Sequence, residues 1–377
     1  MLFYIGVYFV AFILAWGADK YYKNGHKKIF ILLSVLAVLI PSIIAGVRAS
    51  GVGTDTEVYV NWVFRGATQS NSFSEMLDKF SKSKIEPLYC FINFILSRVT
   101  SNLTYIYFFI EVIILSLIYI GCFFICRDRE YSFSFSYLIF IILFYNKTFN
   151  LCRQSIAMAF CFYNFKYIKE KSFYKYLIIN MIAILFHNSA IVFFPMYFVY
   201  ELASYPGKKG KIKRTIVILF IIVVALLLPT ILRVLTYFNL LGERYSNALL
   251  KYGNVSNITK VEILGQLVVL FSVLVFKPKT EDKDGNFFFY SVILGMALFL
   301  FGINIKYSQR ISYYFAYYFC VYIPCAISYF RGKRDKVFAA TSIIIVCLTY
   351  AYGYYELFRF DETIPYVYGE YSKKELR

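Results

Sequence analysis

Charge is scarce in this chain. Only 16% of its 377 residues are charged, where a soluble domain of this size carries about a quarter. A water-soluble globule is therefore excluded. Strict apolar–polar alternation is also missing from the long apolar runs, which excludes a membrane β-barrel. Histidine is scarcer still, with two in all. None of the eight cysteines forms a Cys-x-x-Cys pair. Scattered through apolar stretches as Cys90, Cys122, Cys126, Cys152, Cys161, Cys320, Cys325 and Cys347, they read as small buried hydrophobes. One embedded histidine with no acidic or thiol cluster beside it argues against a zinc site. Neither a P-loop nor a Gly-x-Gly-x-x-Gly run is present, so no nucleotide cofactor is expected. The net charge is +18, but no soluble basic domain carries it, and a nucleic-acid partner is excluded. Most of the excess reads as a positive-inside bias, because most lysines lie in short loops.

Apolar and aromatic residues are abundant, at 60% and 21%, and mean hydropathy is +0.60. Apolar runs of membrane-spanning length recur from Leu2 to Tyr355. They predict an all-α polytopic integral membrane protein. Many Tyr and Phe stand near span ends, where amphipathic rings favour the interface. Spans or half-spans are expected at 2–16, 29–47, 103–126, 132–146, 151–168, 174–186, 188–200, 215–236, 260–276, 287–304, 309–330 and 337–355, about twelve in all. The first lacks a basic n-region and an Ala-x-Ala site, so it reads as a retained helix. Without an internal repeat or a low-complexity linker, residues 1–377 are expected to form a single integral domain.

Basic loops set the orientation. Lys20, Lys23, Lys27 and Lys28 form one cluster, and Lys166, Lys169, Lys171 and Lys175 a second. Lys208, Lys209, Lys211, Lys213 and Arg214 form a third, and Arg331, Lys333, Arg334 and Lys336 a fourth. All four should face the cytoplasm. The segment from Tyr174 to Tyr200 then has to enter and return, turning at His187-Asn188-Ser189. Non-helical backbone at that depth requires protein or a watery cavity around it. The outer face then collects the loop 48–86, the turn 146–153, the His187 turn, the loop 237–259, Lys306–Arg310 and the tail 356–377. Residues 87–99 lie along the interface or re-enter.

Several constellations on that face carry chemistry. Arg48 ends a span, and Gly51 and Gly53 permit a tight turn after it. Arg48 suits a phosphate and Asp55 a sugar hydroxyl; interface anchoring and an ordinary cap by Thr54 or Asp55 are the plainer reading. Glu86 precedes Pro87 at a helix start, either as a carboxylate favoured by the helix dipole or as a base or sugar ligand. Asn150, Arg153 and Gln154 open a helix, where a guanidinium fork and backbone N–H groups suit phosphate oxygens. A snorkelling arginine is the plainer reading. His187 sits at the expected break and suits a general base; a satisfied core histidine is the alternative. Arg310 begins another span from the outside. Glu111, inside 103–126, needs a cationic partner, with Arg48, Arg153 and Arg310 as candidates.

In order, these pieces read Arg48-x4-Gly53-Thr-Asp55-x3-Tyr59, Glu86-Pro-Leu-Tyr89, Asn150-x2-Arg153-Gln-x2-Ala157, Phe186-His187-x-Ser189-Ala, Gln309-Arg310 and Ile364-Pro-Tyr366. The set resembles the EpsG family of Wzy-like polysaccharide polymerases, over nearly the whole chain. The resemblance implies a GT-C-like architecture in a bacterial inner membrane. It implies polymerisation of isoprenoid-diphosphate-linked oligosaccharide repeat units on the extracytoplasmic face. Membrane lipids surround such a protein, and a chain-length regulator and a flippase fit as partners. On this reading Arg153 and Arg310 clamp the diphosphate, with Arg48 as a third cation. His187 or Glu86 deprotonates the acceptor hydroxyl, and Asp55, Tyr59, Asn150 and Gln154 complete the substrate site. Cationic side chains can replace a divalent ion, so neither metal nor cofactor is expected. An O-antigen-type ligase, a membrane acyltransferase and a lipid-linked glycan flippase are the competing readings. A flippase would gather charge at the midplane with repeat symmetry, which the sequence does not show.

Overall fold

Two apolar runs open the structure, a computed structural model that describes residues 1–54, 56–129, 131–203, 207–238, 260–275, 282–301 and 308–369. They form α1 (Leu2–Lys23) and α2 (Lys27–Gly46). Pro41 lies inside α2 and has no N–H for the Ala37 carbonyl one turn back. The Tyr137 hydroxyl donates to that carbonyl at 3.2 Å, and Tyr145 donates to the Pro41 carbonyl at 2.6 Å. The proline is thus tolerated because tyrosines of a neighbouring helix complete the backbone bonding. At the end of α2, a Cβ on Gly46 would come within 2.9 Å of Phe108 Cβ, so glycine sets this close helix approach.

The stretch 48–86 is largely helical, not an irregular loop. A π-helical turn, Thr56–Asn61, runs into α3 (Trp62–Gln69). Ser72 caps α4 (Phe73–Ser81), its hydroxyl accepting the Glu75 N–H at 3.1 Å. Proline opens α5 (Pro87–Ser97) at the first helical position. Asn102 caps α6 (Leu103–Cys126) by accepting the Thr104 N–H at 2.8 Å. There follow α7 (Phe133–Thr148), α8 (Cys152–Tyr163), α9 (Phe165–Lys169) and α10 (Phe173–Phe186). The expected span 151–168 is therefore broken at Asn164, whose amide donates to the Tyr176 carbonyl at 2.9 Å.

At His187 the backbone turns extended, with φ −159° and ψ 118°. A 3-10 turn (Asn188–Phe193) and α11 (Met196–Ala203) follow. The chain then runs back along α10: Phe173 packs on Tyr197 with ring centroids 5.2 Å apart, and the Tyr176 hydroxyl donates to the Phe193 carbonyl at 2.6 Å. The remaining elements are α12 (Gly207–Tyr237), α13 (Lys260–Val275), α14 (Lys283–Phe301), α15 (Ser308–Ala316), α16 (Phe319–Ser328) and α17 (Lys333–Ala351), which a π turn prolongs to Leu357. Most of the expected loop 237–259, Lys306, Asp55 and residues 370–377 of the tail lie outside the described residues.

Among the described residues, five stretches are long and apolar enough to cross a bilayer: α1, α2, α6, Gln309–Ser328 and Lys333–Leu357. Tyrosine does more than decorate span ends. Tyr4, Tyr8, Tyr137, Tyr145 and Tyr176 are fully buried, each with its hydroxyl bonded. Helices in lipid gain nothing from hiding apolar surface from one another, so packing and hydrogen bonds hold them. A buried ring with a bonded hydroxyl supplies both.

Loops gather at two ends of the bundle. At one, Asp284 of α14 pairs with Arg129 and with Lys169 (3.2 Å) and accepts from the Tyr200 hydroxyl at 2.9 Å. Asp282 pairs there with Arg129 and accepts from Tyr329. At the other end the C-terminal segment straps across the first loop. Ala49 N–H donates to the Val367 carbonyl at 2.7 Å, and Arg48 and Tyr368 form an antiparallel bridge. Gly53, at φ +101°, donates its N–H to the Glu362 carbonyl at 2.9 Å. A Cβ there would meet Thr56 Oγ1 at 2.7 Å and Asn150 Oδ1 at 3.0 Å, so both conformation and space require glycine.

Candidate functional site

Four elements end at one cleft. Glu86 caps α5, Arg153 lies in the first turn of α8, His187 closes α10, and Arg310 lies in the first turn and a half of α15. Glu86 joins three of these elements. Its Oε2 pairs with the Arg153 guanidinium. Its Oε1 faces His187 Nδ1 at 2.6 Å and accepts the Asn188 N–H at 3.2 Å. The carboxylate side chain is 3% exposed. Burial pushes its pKa up, but a protonated His187, the Arg153 charge and the bond to His187 outweigh that and lower it to about 2. Glu86 is therefore an ionised acceptor at neutral pH.

An ionised carboxylate can only accept. In the neutral imidazole the proton thus sits on Nδ1, and Nε2 keeps its lone pair. Arg153 stands over the rings of Tyr59 and Tyr89, each 5.8 Å away, within cation–π range. The Gln154 amide donates to the Arg310 carbonyl at 2.7 Å, tying α8 to α15. Ser189 and Tyr314 hydroxyls meet at 3.0 Å and tie the His187 turn to the same helix. Tyr59, Asn150, Arg153, Gln154, His187 and Arg310 all line the cleft. Of the sequence-derived candidates, the fold thus brings together these six, with Glu86 bonded behind them.

Arg48 is placed elsewhere. It lies buried under the C-terminal segment, its guanidinium 4.4 Å from the Tyr107 ring and 4.3 Å from the Phe149 ring. It donates to the Ala45 carbonyl, and its Nε has no hydrogen-bond partner. It does not line the cleft. Glu111 accepts from Thr148 Oγ1 at 2.9 Å, and Arg48 is the arginine whose charge acts on it. Asp55 lies outside the described residues. The Asn150 amide donates to the Asp361 carbonyl at 2.9 Å, and its oxygen accepts from Thr54 Oγ1 at 3.0 Å. Its side chain therefore holds the α7–α8 turn against both loops.

These separately weak motifs converge on one side of the bundle. The EpsG family profile matches residues 31–368, from within α2 to the C-terminal strap. The chain belongs to the EpsG family. Comparison with curated proteins and with solved structures gave no match. Membership makes this EpsG protein a multi-pass membrane protein of polysaccharide biosynthesis, of the polymerase type.

Two features of the EpsG chain escaped the sequence reading. Lys147 is buried at the end of α7, where its ammonium donates to Tyr354 at 2.9 Å and pairs with Asp361 at 3.4 Å. Its place in the turn 146–153, on the face that gathers the other candidate cations, was the available signal. The second is an Asp-x-Asp, Asp282-Lys283-Asp284, which the metal-free expectation overlooked. Both carboxylates are engaged by Arg129, Lys169 and tyrosines, at the end of the bundle away from the cleft. Among the described residues, no three His, Cys, Asp or Glu side chains gather as a metal-ligand set.

Proposed function

We propose that this protein is a Wzy-type glycosyltransferase. It joins isoprenoid-diphosphate-linked oligosaccharide repeat units at the extracytoplasmic face of a bacterial inner membrane. One observation carries the reading: Glu86 grips His187 Nδ1 and Arg153 together in a cleft that Arg310 also lines. An oriented base and two guanidinium groups are what glycosyl transfer from a diphosphate requires. The acceptor hydroxyl oxygen attacks the anomeric carbon as the bond from that carbon to the diphosphate oxygen breaks. The hydroxyl proton passes to His187 Nε2. The lipid diphosphate leaves with the bond electrons, and Arg153 and Arg310 stabilise its growing charge. Tyr59 and Gln154 shape the sugar side of the cleft. With two cations in place the reaction is proposed to run without a metal.

Around this centre the reading includes about twelve transmembrane or half-membrane helices in a GT-C-like single domain, with α5 at the interface. A chain-length regulator and a flippase fit as partners. Arg48 becomes a support for the outer loop, because an aromatic cage and the strap enclose it.

Arg153→Ala and Arg310→Ala should each leave a folded protein and unextended single repeats on lipid. Arg153→Lys should also be poor, because a point charge replaces a fork. A mass profile of lipid-linked glycans decides it: normal chain lengths in both alanine variants would falsify the clamp. Long unattached chains would instead point to a ligase.

A further inference from the structure

A second, larger cavity, with about 80 Å³ of room for water-sized spheres, lies among α7, α13, α14, α15, α16 and α17. Lys147 and Tyr313, 3.3 Å apart, and Gln266 supply its polar lining; Leu143, Val292, Phe319 and Ile343 are among its apolar lining. Lys147 is held by Asp361 of the strap, so this polar lining lies toward the cleft's end of the bundle. Small side chains, Ala316 and Cys347 among them, line the space, and α13 separates it from the outside, with Leu264, Leu267 and Phe271 exposed on its far face.

The two spaces share one wall. Arg310 of α15 lines the cleft, and Ser312, Tyr313 and Ala316 of the same helix line the cavity. Tyr313 stands within one helical turn of about 5.4 Å from Arg310 along the axis, on another face of α15, so a chain leaving the cleft reaches the cavity by passing round that helix at Tyr313. A lipid diphosphate has that shape, since its hydrocarbon chain begins at the phosphate ester oxygen. Resting on the function proposed above, we infer that this cavity receives the first isoprene units of the lipid donor, with Lys147 and Tyr313 at its head-group end.

The test uses the full chain in nanodiscs and a sugar-free isoprenyl diphosphate carrying a diazirine on an early isoprene unit. After irradiation, adducts are mapped by mass spectrometry. They should fall on inward-facing residues such as Val269, Ala316 and Cys347, and excess unlabelled isoprenyl diphosphate should suppress them. Ala316→Phe and Val269→Trp, which fill the space from two sides, should each cut labelling about tenfold. Adducts confined to Leu264, Leu267 and Phe271 would overturn the assignment. So would equal, uncompeted labelling of the inner residues by a diazirine phospholipid, which would mark a passing bilayer chain. Competed labelling in a protein that extends no glycan would keep the cavity and sink the polymerase reading. Active polymerisation without inner labelling would do the reverse.

Discussion

Glu86 commits one carboxylate oxygen to a guanidinium and the other to an imidazole and a backbone N–H. That division separates two roles the sequence left open. A carboxylate ion-paired with the Arg153 guanidinium is a poor proton acceptor at neutral pH, whereas the neutral imidazole it orients presents a lone pair. On the function proposed above, His187 serves as the base and Glu86 as the group that fixes its tautomer. Glu86→Gln should lower kcat on the order of 10²–10⁴-fold, with single-turnover kinetics on purified lipid-linked donor as the measurement. A loss under threefold would return the base role to another group. The pairing also has a pH signature. The folded pKa lies below the ordinary 4.5, so this contribution to stability is complete above that value and lost as pH falls toward about 2. Arg153 and His187 were visible in the sequence because charge at membrane depth is costly. Their meeting through Glu86 was not, since 67 and 101 residues separate it from these partners.

At the scale of elements, the reversal at His187 was legible. Two basic clusters flanking 174–200 required an even number of crossings, and the polar His-Asn-Ser run gave the place. The broken span at Asn164 and the helices within 48–86 were not, because short amphipathic pieces resemble loops or fragments of a longer span. The strap was missed for a different reason. Ile364-Pro-Tyr366 has no chemistry of its own, and the value of the strap lies just before it, in the Asp361 and Glu362 carbonyls that meet Asn150 and Gly53. Asn150 was read as a substrate ligand, and its bonds now favour a positioning role. Asn150→Ala should lower kcat about 10²-fold, the scale of a 1 Å misplacement, while the donor KM stays within twofold. A large rise in KM with kcat intact would restore the substrate-binding role. Steady-state kinetics in nanodiscs separates the two.

Across the whole molecule, the chain places an ion-pair hub at one end and the cleft at the other. Loop charges foretold two faces, but not that Asp284 would bind α9, α11 and the α6–α7 loop into one knot. Removing one partner of a buried pair costs roughly 3–5 kcal/mol. Arg129 and Lys169 are partly exposed, so Asp284→Asn should cost about 2 kcal/mol. Denaturant midpoints in detergent would measure this, and an unchanged midpoint would show the hub to be dispensable. The bridge between Arg48 and Tyr368 has a consequence in time. Helices leave the ribosome in order, and the early ones can pack as they emerge. The turn that carries Arg153 lacks its bond to the Asp361 carbonyl until residues more than 200 positions later are made. On the proposed function, synthesis therefore delivers the bundle first, and the cleft gains its last support only when the C-terminal segment folds back over the first loop.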